Sequence, residues 1–289
     1  MFKQKKFGLI LILLVVGAIL AACSGDSEGS NDGGETSGDG LSAKLVTIAT
    51  GGASGPYNII GTTLADIYTT TYDVNSRTQT TGSSVENLNL MAQGKVEMAF
   101  VMSDALSQAL AGEVSFSEPI KGVSQIATLY PNVVQIITKA DSGIVTIEDL
   151  KGKRVAVGDQ NSGVEVNART LLEGHGITYN DLKVDYLGYA EAADGLSAGT
   201  IDAAFLTSGL PNASVMELAK TMDIRLVTVT PEKVAEIAKK HPYFVSHEIA
   251  ASVYDTDGAV FTAAVPNSLV VKSDMSDAVS YTHLRAHET

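Results

Sequence analysis

Thr50-Gly51-Gly52-Ala53-Ser54-Gly55-Pro56-Tyr57 is the stretch of this 289-residue chain whose reading decides the fold. An apolar run, Leu45 to Ala49, leads into it, and Ile59, Ile60, Leu64 and Ile67 follow at helical spacing. Strand, glycine-rich turn and helix are therefore predicted in that order. Pro56 suits the first helical position, where its missing N–H has no acceptor to lose and its ring already holds a helical φ. Such a turn aims unpaired backbone N–H groups and the positive end of a helix at one spot, which is a place for a carboxylate or another anion. Stretches opening near Thr81, Ser162 and Ser208 repeat the arrangement, so the four are expected to converge on one small ligand in a cleft.

Working outward, strands alternate with amphipathic helices, the pattern of parallel sheets covered by helices. The first series has strands at Val74 to Thr80 and Val96 to Met102, helices from Ser84 and Asp104, and strands at Val123 to Leu129 and Val133 to Thr138. A second begins at Thr146 and includes helices at Gly163 to Glu173, Glu191 to Ala198 and Pro211 to Lys220. A helix from Pro231 and one or two strands over Gly258 to Val271 follow. Two α/β units with chain left over suggest one domain inserted into another: residues 44–139 plus 230–280 as one lobe, 140–229 as the other, with crossings near Lys139 and Val229. Residues 281–289 pack two histidines into a stretch with no apolar period, and read as a non-native tail, a polar native tail being the alternative.

The composition, 45% hydrophobic with 27 Gly, 7 Pro and no Trp, is that of a globular protein of α/β type. A formal net charge of -13 argues against nucleic acid as a partner, because counterion release needs a basic face. At the N-terminus Lys3, Lys5 and Lys6 precede an apolar run from Phe7 to Ala22, so residues 1–22 read as a secretory signal. The run ends Leu20-Ala21-Ala22-Cys23, which resembles a bacterial lipobox and implies cleavage before Cys23 and lipid attachment to it, anchoring the chain to the outer face of a cell membrane. A signal peptide with an incidental cysteine is the alternative. Cys23 is the chain's single cysteine, so once lipidated it leaves no disulfide, cysteine nucleophile or cysteine metal site. Residues 23–43 then form a flexible acidic linker, with no apolar side chain from Ser24 to Gly40.

Two of the helix starts fit the S-x-x-E capping box: Ser83-Ser84-Val85-Glu86 and Ser162-Gly163-Val164-Glu165. Each alone reads as a cap, but both follow an apolar strand, where ligands bind in open α/β sheets. Ser54 and Ser208 hold the same place in their own units. Thr81, Asn87, Ser103 and Asp104 add polar groups, and Tyr57 and Tyr130 would be walls carrying a hydroxyl. Asp104 would repel a carboxylate but accept from an amino group; facing the cleft it would favour an amino acid over a plain dicarboxylate, and otherwise it caps its helix. Arg77 could pair with a carboxylate or lie on a solvated strand face.

Catalytic patterns fail at defined positions. Gly52-Ala53-Ser54-Gly55-Pro56 lacks the last glycine of a nucleophile elbow. His247-Glu248-Ile249-Ala250-Ala251 lacks the second histidine of H-E-x-x-H, and in Asp255-Thr256-Asp257-Gly258 the glycine comes too early for a calcium loop. His175 and His241 read as partners of helix C-termini. No enzyme, metal or cofactor is expected.

Ala49 to Tyr57, Thr80-Thr81-Gly82-Ser83-Ser84-Val85-Glu86-Asn87-Leu88, Tyr130-Pro131 with Gln135, and Leu150-Lys151-Gly152-Lys153-Arg154-Val155-Ala156-Val157-Gly158 resemble the TAXI family, the solute receptors of tripartite ATP-independent periplasmic (TRAP) transporters. The resemblance covers roughly Lys44 to Val279. It implies a two-lobed type II periplasmic-binding-protein fold, closure around a small organic acid such as glutamate or a dicarboxylate, and delivery to a membrane permease. It also implies further helices beyond the end of this chain. A receptor for an ATP-driven (ABC) transporter, or one presenting ligand to a membrane sensor, is the alternative that the residues leave open.

Overall fold

A computed structural model describes residues 45–275. The expected signal peptide, Cys23, the acidic linker, the Ala278-Val279 helix start and the 281–289 tail lie outside the described residues. The first series runs β1 (Leu45–Ala49), α1 (Pro56–Tyr72), β2 (Asn75–Gln79), α2 (Ser84–Ala92), β3 (Met98–Met102), α3 (Ser103–Ala111) and the long strand β4 (Val123–Lys139). The second runs β5 (Arg154–Ala156), α4 (Gly163–Gly174), β6 (Lys183–Asp185), α5 (Tyr189–Ala198), β7 (Ala203–Ser208), α6 (Ala213–Ala219) and β8 (Ile224–Leu226). Then come α7 (Pro231–Ala238), β9 (Val245–Ile249) and β10 (Val260–Lys272).

The strands form one mixed sheet in the order β2-β1-β3-β10-β4-β7-β5-β6, with β8 added on β4 and β9 on β10. β2, β1 and β3 are parallel, as are β6, β5 and β7. The two parallel groups are joined through β4 and β10, which run antiparallel to their neighbours. All five residues of β3 are buried, as a strand covered on both faces requires, whereas β2 at the edge is polar and part-exposed.

The sequence breaks β4 in two around Pro131, but the strand is continuous. It changes partners along its length instead: residues 123–133 pair with residues 264–272 of β10, with a register shift between Pro266 and Ser268, and residues 133–138 pair with β7. At the change Pro131 stands opposite Pro266, and neither has an N–H to donate. β9 went unseen in the sequence because its pattern is mostly exposed, with only Ile249 buried, and it lacks the apolar run of an inner strand.

The core divides unevenly along the chain. Val234 and Ile237 of α7, Phe244, and Ala263 and Val265 of β10 share one apolar cluster with Val155, Leu171 and Phe205 of the second series. Leu269 and Val271, further along β10, pack with Val46, Ile48, Leu64 and Phe100 of the first.

α1 begins at Pro56 with Gly55 as its extended cap, as its sequence predicts. It lies so close to the sheet that a Cβ on Gly61 would come within 2.6 Å of Thr50 Cγ2 and 3.3 Å of Phe100. Gly61→Val should therefore cost about 1–3 kcal/mol through overpacking, read as a lower denaturation midpoint with an unchanged slope.

Candidate functional site

Five strand ends open on one cleft. Its walls are Gly51, Gly52, Ser54, Gly55, Pro56 and Tyr57 after β1, and Gly82 and Ser83 after β2. Opposite stand Asp159, Ser162 and Val164 after β5, Leu187, Gly188 and Tyr189 after β6, and Thr207 and Ser208 ending β7. Tyr130 and Asn132 of β4 form the floor where the strand changes partners. The cleft holds about 490 Å³ of space, its open mouth included. It lies beyond the carboxyl ends of the parallel strands, and the first turns of α1, α2, α4 and α5 border it with N–H groups that have no acceptor in their own helix.

Ser54, Tyr57, Ser83, Tyr130, Ser162 and Ser208 thus meet in one place. The caps are not the expected ones. Ser83 precedes α2 with φ 92°, a left-handed value that strains a serine, and its hydroxyl does not cap the helix. Glu86 accepts from the N–H of Gly82 instead, at 2.6 Å. Ser162 does accept from Glu165 N–H at 3.0 Å, but the Glu165 carboxylate turns away to Arg169 and to the Tyr179 hydroxyl, 2.7 Å from each. After β7 the cap is Asn212 and the helix opens at Ala213, two residues later than the predicted start at Pro211, and Ser208 is tied to Gln135 at 3.1 Å and Asn212 at 3.0 Å.

The remaining predicted residues lie behind the walls, where burial and hydrogen bonding hold them. Asn87 donates to Thr50 O at 2.6 Å and Phe100 O at 2.8 Å and accepts from Thr81 at 2.6 Å, so both side chains serve strand-end groups. Ser84 accepts from Met102 N–H at 3.0 Å, and Ser103 pairs with Ser268 at 3.2 Å. Gly163 is a point of close approach, since a Cβ there would stand 2.6 Å from Ser84 Oγ. Asp104 does not face the cleft; it is fully buried and accepts from Asn167 of α4. Arg77 sits in β2, outside the lining.

Residues 48–287 match the NMT1-like family. The chain belongs to that family. Among solved structures it is similar to the PhnD1 protein of Prochlorococcus marinus in complex with methylphosphonate, at 11% identity and a TM-score of 0.55, covering 84% of this chain and 81% of that one. It is also similar to the holo form of ArgBP from T. maritima, at 13% identity and 0.52, covering 85% and 91%. A putative L-cystine ABC transporter protein from Listeria monocytogenes gives 15% identity and 0.50, covering 84% and 90%. The NMT1-like chain has the two-lobed α/β fold of periplasmic binding proteins.

Among the described residues of this NMT1-like chain, no Lys, Arg or His lines the cleft. The one carboxylate among those described lining residues is Asp159, whose pKa is raised first by desolvation and then by Glu191 and Glu86. No ion pair among the described residues reaches it. Burial raises the hydroxyls of Tyr130 and Tyr189 above the usual tyrosine range, so both stay protonated. The hydroxyls of Tyr130 and Thr207 are buried without a partner. Asp159, Tyr189, Asn132 and Thr207 escaped the sequence reading. Asp159 stands three residues before the Ser162 cap, and that strand-to-helix loop was the signal available for it; Tyr189 opens α5 two residues before the helix start read from periodicity.

Two buried networks hold the floor. Asn132 donates to the Tyr57 hydroxyl at 2.9 Å and to Asn267 Oδ1 at 2.6 Å, while Tyr57 donates to the same Asn267 oxygen. The Tyr254 hydroxyl donates to Gln135 Oε1 at 2.5 Å and accepts from Asn212 N–H at 2.7 Å, bracing Ser208 from behind. Tyr254→Phe should cost about 1–3 kcal/mol, because it strands a buried acceptor and a buried donor; chemical denaturation measures the loss.

Proposed function

We propose that the protein is an extracytoplasmic solute receptor that binds a small amino acid between its two lobes and hands it to a membrane transporter. The observation that carries this reading is the convergence of five strand-end turns on one cleft walled by backbone and hydroxyl groups. Helix starts there offer N–H donors to a carboxylate without a cationic side chain. Asp159 supplies the opposite requirement, an unpaired carboxylate beside Glu191 and Glu86 that accepts from an ammonium group. An amino acid carries both charges, and a plain dicarboxylate carries only the one that Asp159 repels. Asp159 thereby takes the part that the sequence offered to Asp104.

The lobes are drawn where the cores divide, with the crossings at Pro131 and Pro266, so that residues 231–265 go with the second series. Residues 1–23, with their signal and lipobox pattern, support a lipid-anchored location outside the cell membrane. The likeness of residues 49–57 and 80–88 to the TAXI family favours a TRAP permease as the partner. The fold shared with the putative L-cystine ABC transporter protein supports an ABC transporter as the second reading.

A thermal-shift screen of the full chain tests this. L-glutamate, L-aspartate and neutral amino acids are compared with glutarate and succinate. At least one amino acid should raise the melting temperature, and neither diacid should; a shift by the diacids alone overturns the amino-acid reading, and no shift by any small acid overturns the receptor. For the amino acid that binds, Asp159→Asn should weaken affinity by about 10-fold or more, the worth of one charge-assisted hydrogen bond, measured by calorimetry.

A further inference from the structure

A polar pair outside the cleft has no part in the function above. Asp104 opens α3 and Asn167 lies on α4; both are completely buried, and Asn167 Nδ2 donates to Asp104 Oδ2. The second carboxylate oxygen, Asp104 Oδ1, and the amide oxygen, Asn167 Oδ1, are buried with no hydrogen-bond partner. The N–H groups of Asp104 and Ala105 lie near the carboxyl and favour its charge somewhat, but neither bonds to Oδ1. An ionised carboxylate offers only acceptors, as does an amide oxygen. One proton on Asp104 Oδ1 supplies the donor that the pair lacks, since a carboxylic acid and a primary amide can each donate to and accept from the other.

We infer that Asp104 and Asn167 form a proton-binding site between α3 and α4, and that bringing these helices together takes up a proton from solvent. α3 belongs to the first series and α4 to the second, so the pair spans the seam on which the series meet. Glu86 N–H bonds to Asn161 O at 3.1 Å along the same seam, and Arg169 to Ser115 at 3.3 Å. No countercharge waits there for an ionised Asp104. On α4, Glu165 and Arg169 are paired with each other, and on α2 the Glu86 carboxylate is held by Gly82 N–H. The tyrosines that feel its charge, Tyr57 of α1 and Tyr243 before β9, both have raised pKa values. β3 is wholly apolar in sequence, and β10 offers Ser268, which pairs with Ser103.

Desolvation pushes the Asp104 carboxyl up to about 7. In water the same group titrates near 3.9, roughly. Its contribution to the closed form is therefore full below that ordinary value and is withdrawn as the pH rises through about 7. Parting the helices at neutral pH releases the proton. The inference rests on the parting and closing of the two lobes that the receptor reading supposes, but on no particular ligand, and its test uses none, so its failure is read separately from that of the ligand screen.

Infrared difference spectra of the full chain, taken between about pH 6 and about pH 8.5, decide it. At the lower pH the carbonyl stretch of a neutral carboxylic acid should be present, lost in Asp104→Asn and kept in Asp159→Asn, which removes the other aspartate with a raised pKa. The wild-type melting temperature should fall as pH rises through this range, and small-angle scattering should show the protein expanding, with both trends flattened in Asp104→Asn. An acid band equally strong in wild type and Asp104→Asn, or wild-type dimensions that do not move with pH, overturns the inference. If Asp104→Asn does not fold, Asp159→Asn decides alone: a missing acid band at the lower pH overturns the site, and a band there upholds it.

Discussion

The antiparallel pairing of β4 with β10 is the constraint on which the other features hang. β10 pairs with β3 of the first parallel group and β4 with β7 of the second, so the strand ends of the two series are held at a set separation by one ribbon. Tyr57, Asn132 and Asn267 lock the floor of the cleft to that ribbon, and Gln135, Asn212 and Tyr254 lock the wall that carries Ser208. Buried polar groups of this kind are stabilising only when satisfied, so they fix the geometry more narrowly than apolar packing would. Not every such atom is satisfied: Asn132 Oδ1 and Asn267 Nδ2 on the floor, Tyr130 and Thr207 in the cleft wall, Gln108 on α3, and Asp104 and Asn167 in the seam each leave a buried polar atom without a partner among the described residues.

The cleft divides its electrostatic work between backbone and side chain. Positive potential comes from helix starts, which carry no titratable group and keep their polarity at any pH the fold survives. Negative potential comes from Asp159, reinforced by the acidic residues behind it. That division of charge is what the proposal of an amino acid as ligand rests on.

Much of this was legible in the sequence, and the reasons differ by element. Strong apolar runs such as residues 45–49 and 98–102, and the Gly55-Pro56 and Ser162-Gly163 junctions, announced strands and helix starts to within a residue or two. The convergence of Ser54, Ser83, Ser162 and Ser208 followed from their equal placement after strands. What stayed hidden depended on contacts distant in sequence. Nothing near Asn87 tells that its amide would serve the carbonyls of Thr50 and Phe100, and nothing near Asp104 tells that Asn167 would cover it. The exposed β9 and the partner change within β4 are likewise products of pairing, which local periodicity does not encode.

Pro131 facing Pro266 has a mechanical consequence. Rungs of an antiparallel ribbon resist bending where they exchange N–H···O bonds, and neither residue of this one has an N–H to give. That level, where β10 passes from the apolar cluster holding Ala263 and Val265 to the one holding Leu269 and Val271, is therefore held by side-chain packing and by the neighbouring rungs, not by bonds of its own.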